Sequence, residues 1–178
     1  IVGEEPAETL ALCEALRPRT DKPLIVKLTP NANEPAAVAR AAEEAGADAV
    51  SLVNTLKGMA LDPRTARPWL GGTTGGVSGP AVRAIALQQV HAVAGRVAIP
   101  VIGMGGISSG SDALDFLRAG AAAVAVGTES FRDPGAGRRI AAELAQLEAR
   151  QAPHRAPDPA PGADMPQTGE SRPTFFRR

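Results

Sequence analysis

Apolar residues in this chain come in short blocks that stop at glycine, and a helical pattern follows each block. The clearest are Pro-Val-Ile-Gly-Met-Gly-Gly-Ile at residues 100–107 and Ala-Val-Ala-Val-Gly-Thr at 123–128. A short apolar run bounded by turn residues reads as a strand buried on both faces, as in a parallel sheet. The pattern predicts four strands, at 23–28, 49–53, 99–103 and 121–126. A first helix is predicted over 4–16, with acids near its start, Leu10, Leu12, Ala15 and Leu16 as its apolar positions, and Pro18 as its stop. A second covers 34–45, with Asn33 placed to cap it, Pro35 at its first position and Gly46 at its end. A third starts around Ser78, Gly79 and Pro80, with Ser78 or Gly79 as cap, and runs to about Ala94. A fourth spans 112–119, capped by Ser108 or Ser109 and closed by Gly120. The last spans 135–150 and carries Ile140, Leu144 and Leu147 on one face. Residues 56–77 hold two Gly-Gly pairs and two X-Pro steps, and read as a long irregular segment near the mouth of a site.

Four successive strand–helix units predict an α/β fold, the C-terminal half of a (β/α)8 TIM barrel, over residues 1–150. A whole barrel of this kind takes about 250 residues. The chain is therefore expected to be a fragment of a longer protein, or a half-barrel that covers its open edge in another way. From 151 onward the composition changes. Pro153, Pro157, Pro159, Pro161, Pro166 and Pro173 interrupt every helical pattern, so 151–178 is expected to be a proline-rich disordered tail. Phe175, Phe176, Arg177 and Arg178 close it as a solvated terminus or a docking end.

Composition narrows the function classes. Lys plus Arg and Asp plus Glu both number 19, so no basic field points to nucleic acid. With no Tyr, four Phe and one Trp, the core must be built from aliphatic residues. Cys13 is the one cysteine, which rules out an intrachain disulfide and leaves no basis for a cysteine metal site. It reads as a small buried side chain of the first helix rather than as a nucleophile. No run reaches the length of a membrane span, and no signal peptide is expected, so the sequence reads as that of a soluble cytoplasmic protein.

The candidate chemistry sits where the strands end. Glycine past a strand end lets backbone N–H groups approach a ligand, and the helix start that follows favours anions. In barrels, the loops after the last two strands are the usual phosphate site. Gly105 with Gly106, and Gly127 with Thr128, are therefore read as a phosphate clamp, for a phosphorylated cofactor. Lys27 closes the first strand and reads either as an edge lysine that snorkels or as a cation facing the barrel mouth, toward an anionic ligand or flavin ring. Asn54 and Thr55 follow the second strand and offer hydrogen bonds either to a turn or to a ligand.

Taken together, these stretches resemble the dihydroorotate dehydrogenases, the flavin enzymes of pyrimidine synthesis. The matching segments are Ile-Val-Lys-Leu-Thr-Pro-Asn at 25–31, Ser-Leu-Val-Asn-Thr at 51–55 with Gly-Met-Ala at 58–60, Thr-Gly-Gly-Val-Ser-Gly-Pro-Ala at 74–81, residues 100–107, and Val-Gly-Thr at 126–128. They follow the family order and spacing over about 20–145, and the Asn-Thr and Ser-Gly-Pro-Ala versions look like the class 1B catalytic subunit. The resemblance implies oxidation of (S)-dihydroorotate to orotate, with hydride passing to FMN N5. It implies that Lys27 contacts the flavin and stabilises its reduced form. Val53 and Gly79 would line the FMN site, Gly105, Gly106, Gly127 and Thr128 would hold its phosphate, and Asn54 and Thr55 would bind the pyrimidine. It also implies a partner subunit carrying FAD and a 2Fe-2S cluster that passes electrons to NAD+, in a homodimer or heterotetramer. The family's base cysteine lies in an Asn-x-Ser-Cys-Pro-Asn loop that is absent here and is expected upstream of residue 1. No catalytic residue is therefore assigned within the chain, and none of that loop's neighbours surrounds Cys13. The competing readings are the FMN barrel of a dihydropyrimidine dehydrogenase and a non-catalytic half-barrel that binds a phosphate or flavin.

Overall fold

The computed structural model describes residues 3–151, so the reading of a disordered tail lies outside the described residues. In chain order the elements are α1 (Pro6–Leu16), β1 (Ile25–Lys27), α2 (Pro35–Glu44), β2 (Ala49–Leu52), β3 (Leu56–Gly58), β4 (Gly75–Val77) and α3 (Arg83–Ala94). Then follow β5 (Val101–Met104), α4 (Gly110–Arg118), β6 (Ala123–Ala125), α5 (Glu129–Arg132) and α6 (Ala136–Gln151).

The four predicted strands form one parallel sheet in the order β1-β2-β5-β6. Each step to the next strand passes through a helix: α2, then α3, then α4. Every strand pairs with the one before it, and the order never reverses. A doubly wound sheet would reverse at a switch point. Continuous winding fits the TIM-barrel family.

The two faces of the sheet differ. Val50 and Leu52 are fully buried and point with Val101 and Gly103 toward the helices. A Cβ on Gly103 would fall 2.7 Å from the ring of Phe116 on α4, so this close approach requires glycine. Phe116, Val38, Val90, Val93 and Ile140 complete the buried layer. The opposite face carries Ile25, Lys27, Ser51, Ile102 and Met104 in register. Its cover is uneven: Ser51 is buried and Ile102 and Met104 are half-buried, whereas at the β1 edge Ile25 is 50% exposed and Lys27 is exposed as well.

The segment 56–77 departs from its reading as irregular. Its ends form an antiparallel ladder, with Leu56 opposite Val77 and Gly58 opposite Gly75. Its middle is tied by a bridge between Leu61 and Pro68 and by the Asp62 N–H donating to the Arg67 carbonyl at 2.9 Å. The strands are hidden in the sequence because three of their residues are glycines, which carry no alternating pattern. Those glycines are needed for space: a Cβ on Gly76 would stand 2.3 Å from Thr55 Oγ1, and one on Gly58 2.4 Å from Val77 Cγ2.

Three helix starts differ in detail from expectation, although Gly79 and Ser109 stand as N-caps where caps were expected. Glu34, not Asn33, is the N-cap of α2, and no side chain caps it. Pro35 lacks an N–H, so one of the donors a cap would satisfy is missing from the start. Gly79, at φ 87°, leads into a single 3-10 turn over Pro80–Val82 without a side-chain cap, and the α-helix proper begins only at Arg83. Helix α4 starts at Gly110, two residues early, because Ser109 and Asp112 form a capping box across its first turn. The four-residue α5 was not expected; one turn is too short to show a period.

Candidate functional site

At the C-terminal ends of the four parallel strands lies a cleft of about 320 Å³. Lys27, Val53, Asn54, Thr55, Gly79, Gly105, Gly106, Gly127 and Thr128 all line it. These are the nine residues singled out from the sequence, drawn from segments a hundred residues apart. The parallel sheet places them together, since every strand delivers its following loop to the same edge.

Backbone hydrogen bonds fix the loop ends. Leu28 N–H donates to the Ser51 carbonyl at 2.8 Å, Asn54 N–H to the Leu28 carbonyl at 3.0 Å, and Val53 N–H to the Met104 carbonyl at 2.8 Å. The Asn31 amide spans the first two loops, accepting from Lys57 N–H at 3.0 Å and donating to the Thr55 carbonyl at 3.2 Å. The side chains of Asn54 and Thr55 remain exposed and form no hydrogen bond to another described residue. The Lys27 ammonium is likewise exposed, with no carboxylate paired to it among the described residues.

The glycines meet at the floor of the cleft. Gly105 and Gly106 sit at φ 126° and 76°, conformations that favour glycine. A Cβ on Gly106 would lie 2.7 Å from the Gly79 carbonyl oxygen and 2.8 Å from Arg83 Cβ. Gly79 in turn faces Thr128 Cγ2 at 3.6 Å from its own would-be Cβ. A Cβ on Gly127 would meet nothing within 4 Å. The Gly79 turn is thus in near contact with Gly106 and with Thr128, and the space beside Gly127 is open.

Sequence reading missed what holds this floor. Asp112 is buried on the first turn of α4. Its carboxylate accepts from Ser108 N–H at 2.9 Å, Ser108 Oγ–H at 2.9 Å and Ser109 N–H at 3.0 Å. Arg83 Nη1 donates to its other oxygen. Burial alone raises the Asp112 pKa; the donors from Ser108 and Ser109 and the Arg83 charge outweigh it and hold the carboxyl below its ordinary range. The capping signal was visible in Ser109, but the partner Arg83 lies 29 residues away and only the fold joins them.

The sign of the pH effect follows. A carboxyl lowered in the folded state adds stability above its unfolded value and loses it as pH falls through the folded one. Asp112→Asn is expected to melt earlier than the parent at neutral pH, by about 1–3 kcal/mol. The gap should narrow as pH falls below about 4, the unfolded carboxylate value. Thermal melts of both proteins across that window check this; a gap that does not change with pH would refute it.

Glu129 also lines the cleft and is buried, paired with Arg132 at 2.6 Å and Arg139 at 3.2 Å. Cys13 lies elsewhere, in the core under α1, where burial pushes its thiol up. Among the described residues no group of three or more His, Cys, Asp or Glu is placed to hold a metal ion, and no helix is long and apolar enough to cross a membrane.

Comparison with known proteins gives a consistent answer. The dihydroorotate dehydrogenase family profile matches residues 2–147. The "Dihydroorotate dehydrogenase B (NAD(+)), catalytic subunit" of Geobacter metallireducens is 53% identical over 146 residues, covering 82% of this chain and 48% of the relative. The "Dihydroorotate dehydrogenase A (fumarate)" of Lacticaseibacillus paracasei is 48% identical over 149 residues, covering 84% of this chain and 51% of the relative. A crystal structure of DHODH from Eimeria tenella in complex with ferulenol superposes with a TM-score of 0.65 at 25% identity, over 83% of this chain and 46% of that one. The chain thus spans about half the length of the curated relatives it matches. With the profile covering most of its length and this identity behind it, the chain belongs to the dihydroorotate dehydrogenase family.

Proposed function

We propose that this chain forms the C-terminal half of an eight-stranded barrel that binds FMN and oxidises (S)-dihydroorotate to orotate in pyrimidine biosynthesis. The observation that carries the reading is the convergence of the nine candidate residues on one cleft at the strand ends. The half-covered face bearing Ile25 and Met104 supports the barrel, whose remaining strands would bury it.

The residues fit a flavin phosphate. Gly105, Gly106, Gly127 and Thr128 line one cleft, the space beside Gly127 is open, and the carboxylate on the wall, Glu129, is paired with Arg132 and Arg139. They would hold the phosphate of FMN through backbone N–H groups. Val53, 4% exposed, and Gly79 give the flavin an apolar wall. FMN, when bound, supplies the hydride acceptor of the reaction. Lys27 places a positive charge beside it with no competing carboxylate. Asn54 and Thr55 present a donor, acceptors and a hydroxyl suited to the carbonyl and N–H edge of a pyrimidine. Among the described residues the cleft's carboxylate is Glu129, locked in ion pairs, so in this reading the base that takes the one proton lost alongside the hydride belongs to the other half of the barrel.

The B-type relative is named for NAD+ and as a catalytic subunit. That name supports an electron route to NAD+ through a partner subunit; to this we add FAD and a 2Fe-2S cluster on that subunit, a homodimer or heterotetramer, and a cytoplasmic location. The A-type relative, named for fumarate, stands at nearly the same identity, so the assignment of acceptor rests on the sequence motifs rather than on overall likeness. Mixing the full-length flavin-loaded protein with dihydroorotate in the absence of oxygen tests the reading. Bleaching of the flavin absorbance by dihydroorotate and not by dihydrouracil is expected. The reverse preference would favour a dihydropyrimidine dehydrogenase-like barrel, and no bleaching by either would favour a binding module.

A further inference from the structure

The two glycine turns of the cleft belong to different β/α units, and neither sets its own distance from the other. Arg139, on the first turn of α6, reaches both. Its Nη1 donates to the Ser108 carbonyl at 3.2 Å, in the loop after β5. Its Nη2 donates to Glu129 Oε1 at 3.2 Å, directly after Gly127 and Thr128. Ser108 and Glu129 both line the cleft, whereas Arg139 does not.

The guanidinium is itself held in place. Nε donates to Asp133 Oδ2 at 3.0 Å, and Nη1 to Glu143 Oε1 at 3.0 Å. The second oxygen of Glu143 accepts from Gly110 N–H at 2.7 Å, at the start of α4. There the two helices touch so closely that a Cβ on Gly110 would stand 2.5 Å from Glu143 Cβ. Ala136 and Ile140, 0% and 2% exposed, anchor α6 behind the contact. Five donor hydrogens in a rigid plane suit a residue that must meet several acceptors in fixed directions.

Charge adds a second consequence. Glu129 has a side chain only 6% exposed and stands on the wall of an anion cleft, where a bare carboxylate would repel phosphate. Arg132 pairs with it, but the Arg132 side chain is 78% exposed and its effect is screened by water. Arg139 is the less exposed of the two cations, at 39%.

We infer that Arg139 is a positioning residue, a strut that fixes the separation of the two phosphate-binding turns and cancels the Glu129 charge beside them. This rests on the reading of the cleft as an FMN site. The strut should matter for the phosphate and not for the flavin ring. The test is titration of the flavin-stripped full-length protein with FMN and with riboflavin, which lacks the phosphate, read by flavin fluorescence. The unaltered protein should bind FMN more tightly than riboflavin. In Arg139→Met that preference should shrink at least about tenfold, the scale of one lost hydrogen bond to a charged group, with riboflavin affinity unchanged as an internal control of folding. Arg139→Lys keeps the charge but cannot span Ser108 and Glu129, so it should lose the preference too.

The outcomes separate. Equal binding of FMN and riboflavin by the unaltered protein, or binding of neither, would remove the FMN reading itself. A preference retained in Arg139→Met would overturn the inference while leaving that reading intact. Full retention in Arg139→Lys would overturn the strut, as charge alone would then suffice. Parallel loss of both flavins in Arg139→Lys would mark a general structural role and overturn it as well.

Discussion

Replacing Lys27 by alanine is expected to lower turnover of dihydroorotate by the full-length holoenzyme about 10²–10³-fold, the effect of removing one charged group aimed at the reacting centre. Stability should hardly move, by about 0.5 kcal/mol or less, as for surface changes away from structural features. The reason is the same in both cases. Lys27 is exposed, lines the cleft and has no carboxylate partner among the described residues. Nothing in the fold depends on its charge, so its charge is available to a ligand. The reduction potential of the bound flavin should fall in the variant, because a nearby cation favours added electron density. Steady-state kinetics, a melting curve and a potentiometric titration check the three statements. A variant with unchanged turnover and potential would place Lys27 outside the chemistry.

Gly106→Ala is expected to have the opposite balance, with a large cost in stability as well as in binding. The residue sits at φ 76°, where a side chain is strained. The added Cβ would meet the Gly79 carbonyl oxygen at 2.7 Å, Arg83 Cβ at 2.8 Å and Arg83 N at 3.0 Å. Two of these three are backbone atoms, which cannot turn aside. A destabilisation of about 1–3 kcal/mol follows from the backbone strain alone. Relief of the clash would separate the Gly79 and Gly106 loops, so FMN affinity should fall about 10–100-fold, the same energy expressed as an equilibrium. Gly137→Ala is the control. A Cβ there meets nothing within 4 Å and the residue lies in a helix, so the change should be neutral or stabilise by up to about 1 kcal/mol. Equal effects of the two substitutions in denaturant titrations and flavin binding would refute the argument.

The dependence of the floor on distant partners explains why it was only partly legible beforehand. Gly105, Gly106, Gly127 and Thr128 announce themselves as turns after apolar runs, a local signal. The groups that hold those turns do not. Asp112 accepts from Ser108 and Ser109 nearby, yet its arginine comes from α3. Arg139 reads along the sequence as one charge among several on an exposed helix face. Its reach to Ser108, 31 residues earlier, exists only once α6 lies against α4. The antiparallel pair β3 and β4 was hidden for a related reason. Its glycines answer to the space left by Thr55, Val77 and Leu70, which no pattern within the segment reports.

The sequence by itself determined the four strands, the helices between them and the glycine turns at 105–106 and 127–128, because burial periodicity and glycine turns are properties of neighbouring residues; Val53 and Gly79 stand out as site residues only through the family motifs. The tertiary structure decided the rest. It set the strand order, joined the nine residues into one cleft, placed the buried Cys13 away from it, and tied the two glycine turns through Arg139. These depend on contacts between residues far apart in the chain, and such contacts form only when packing brings their elements together.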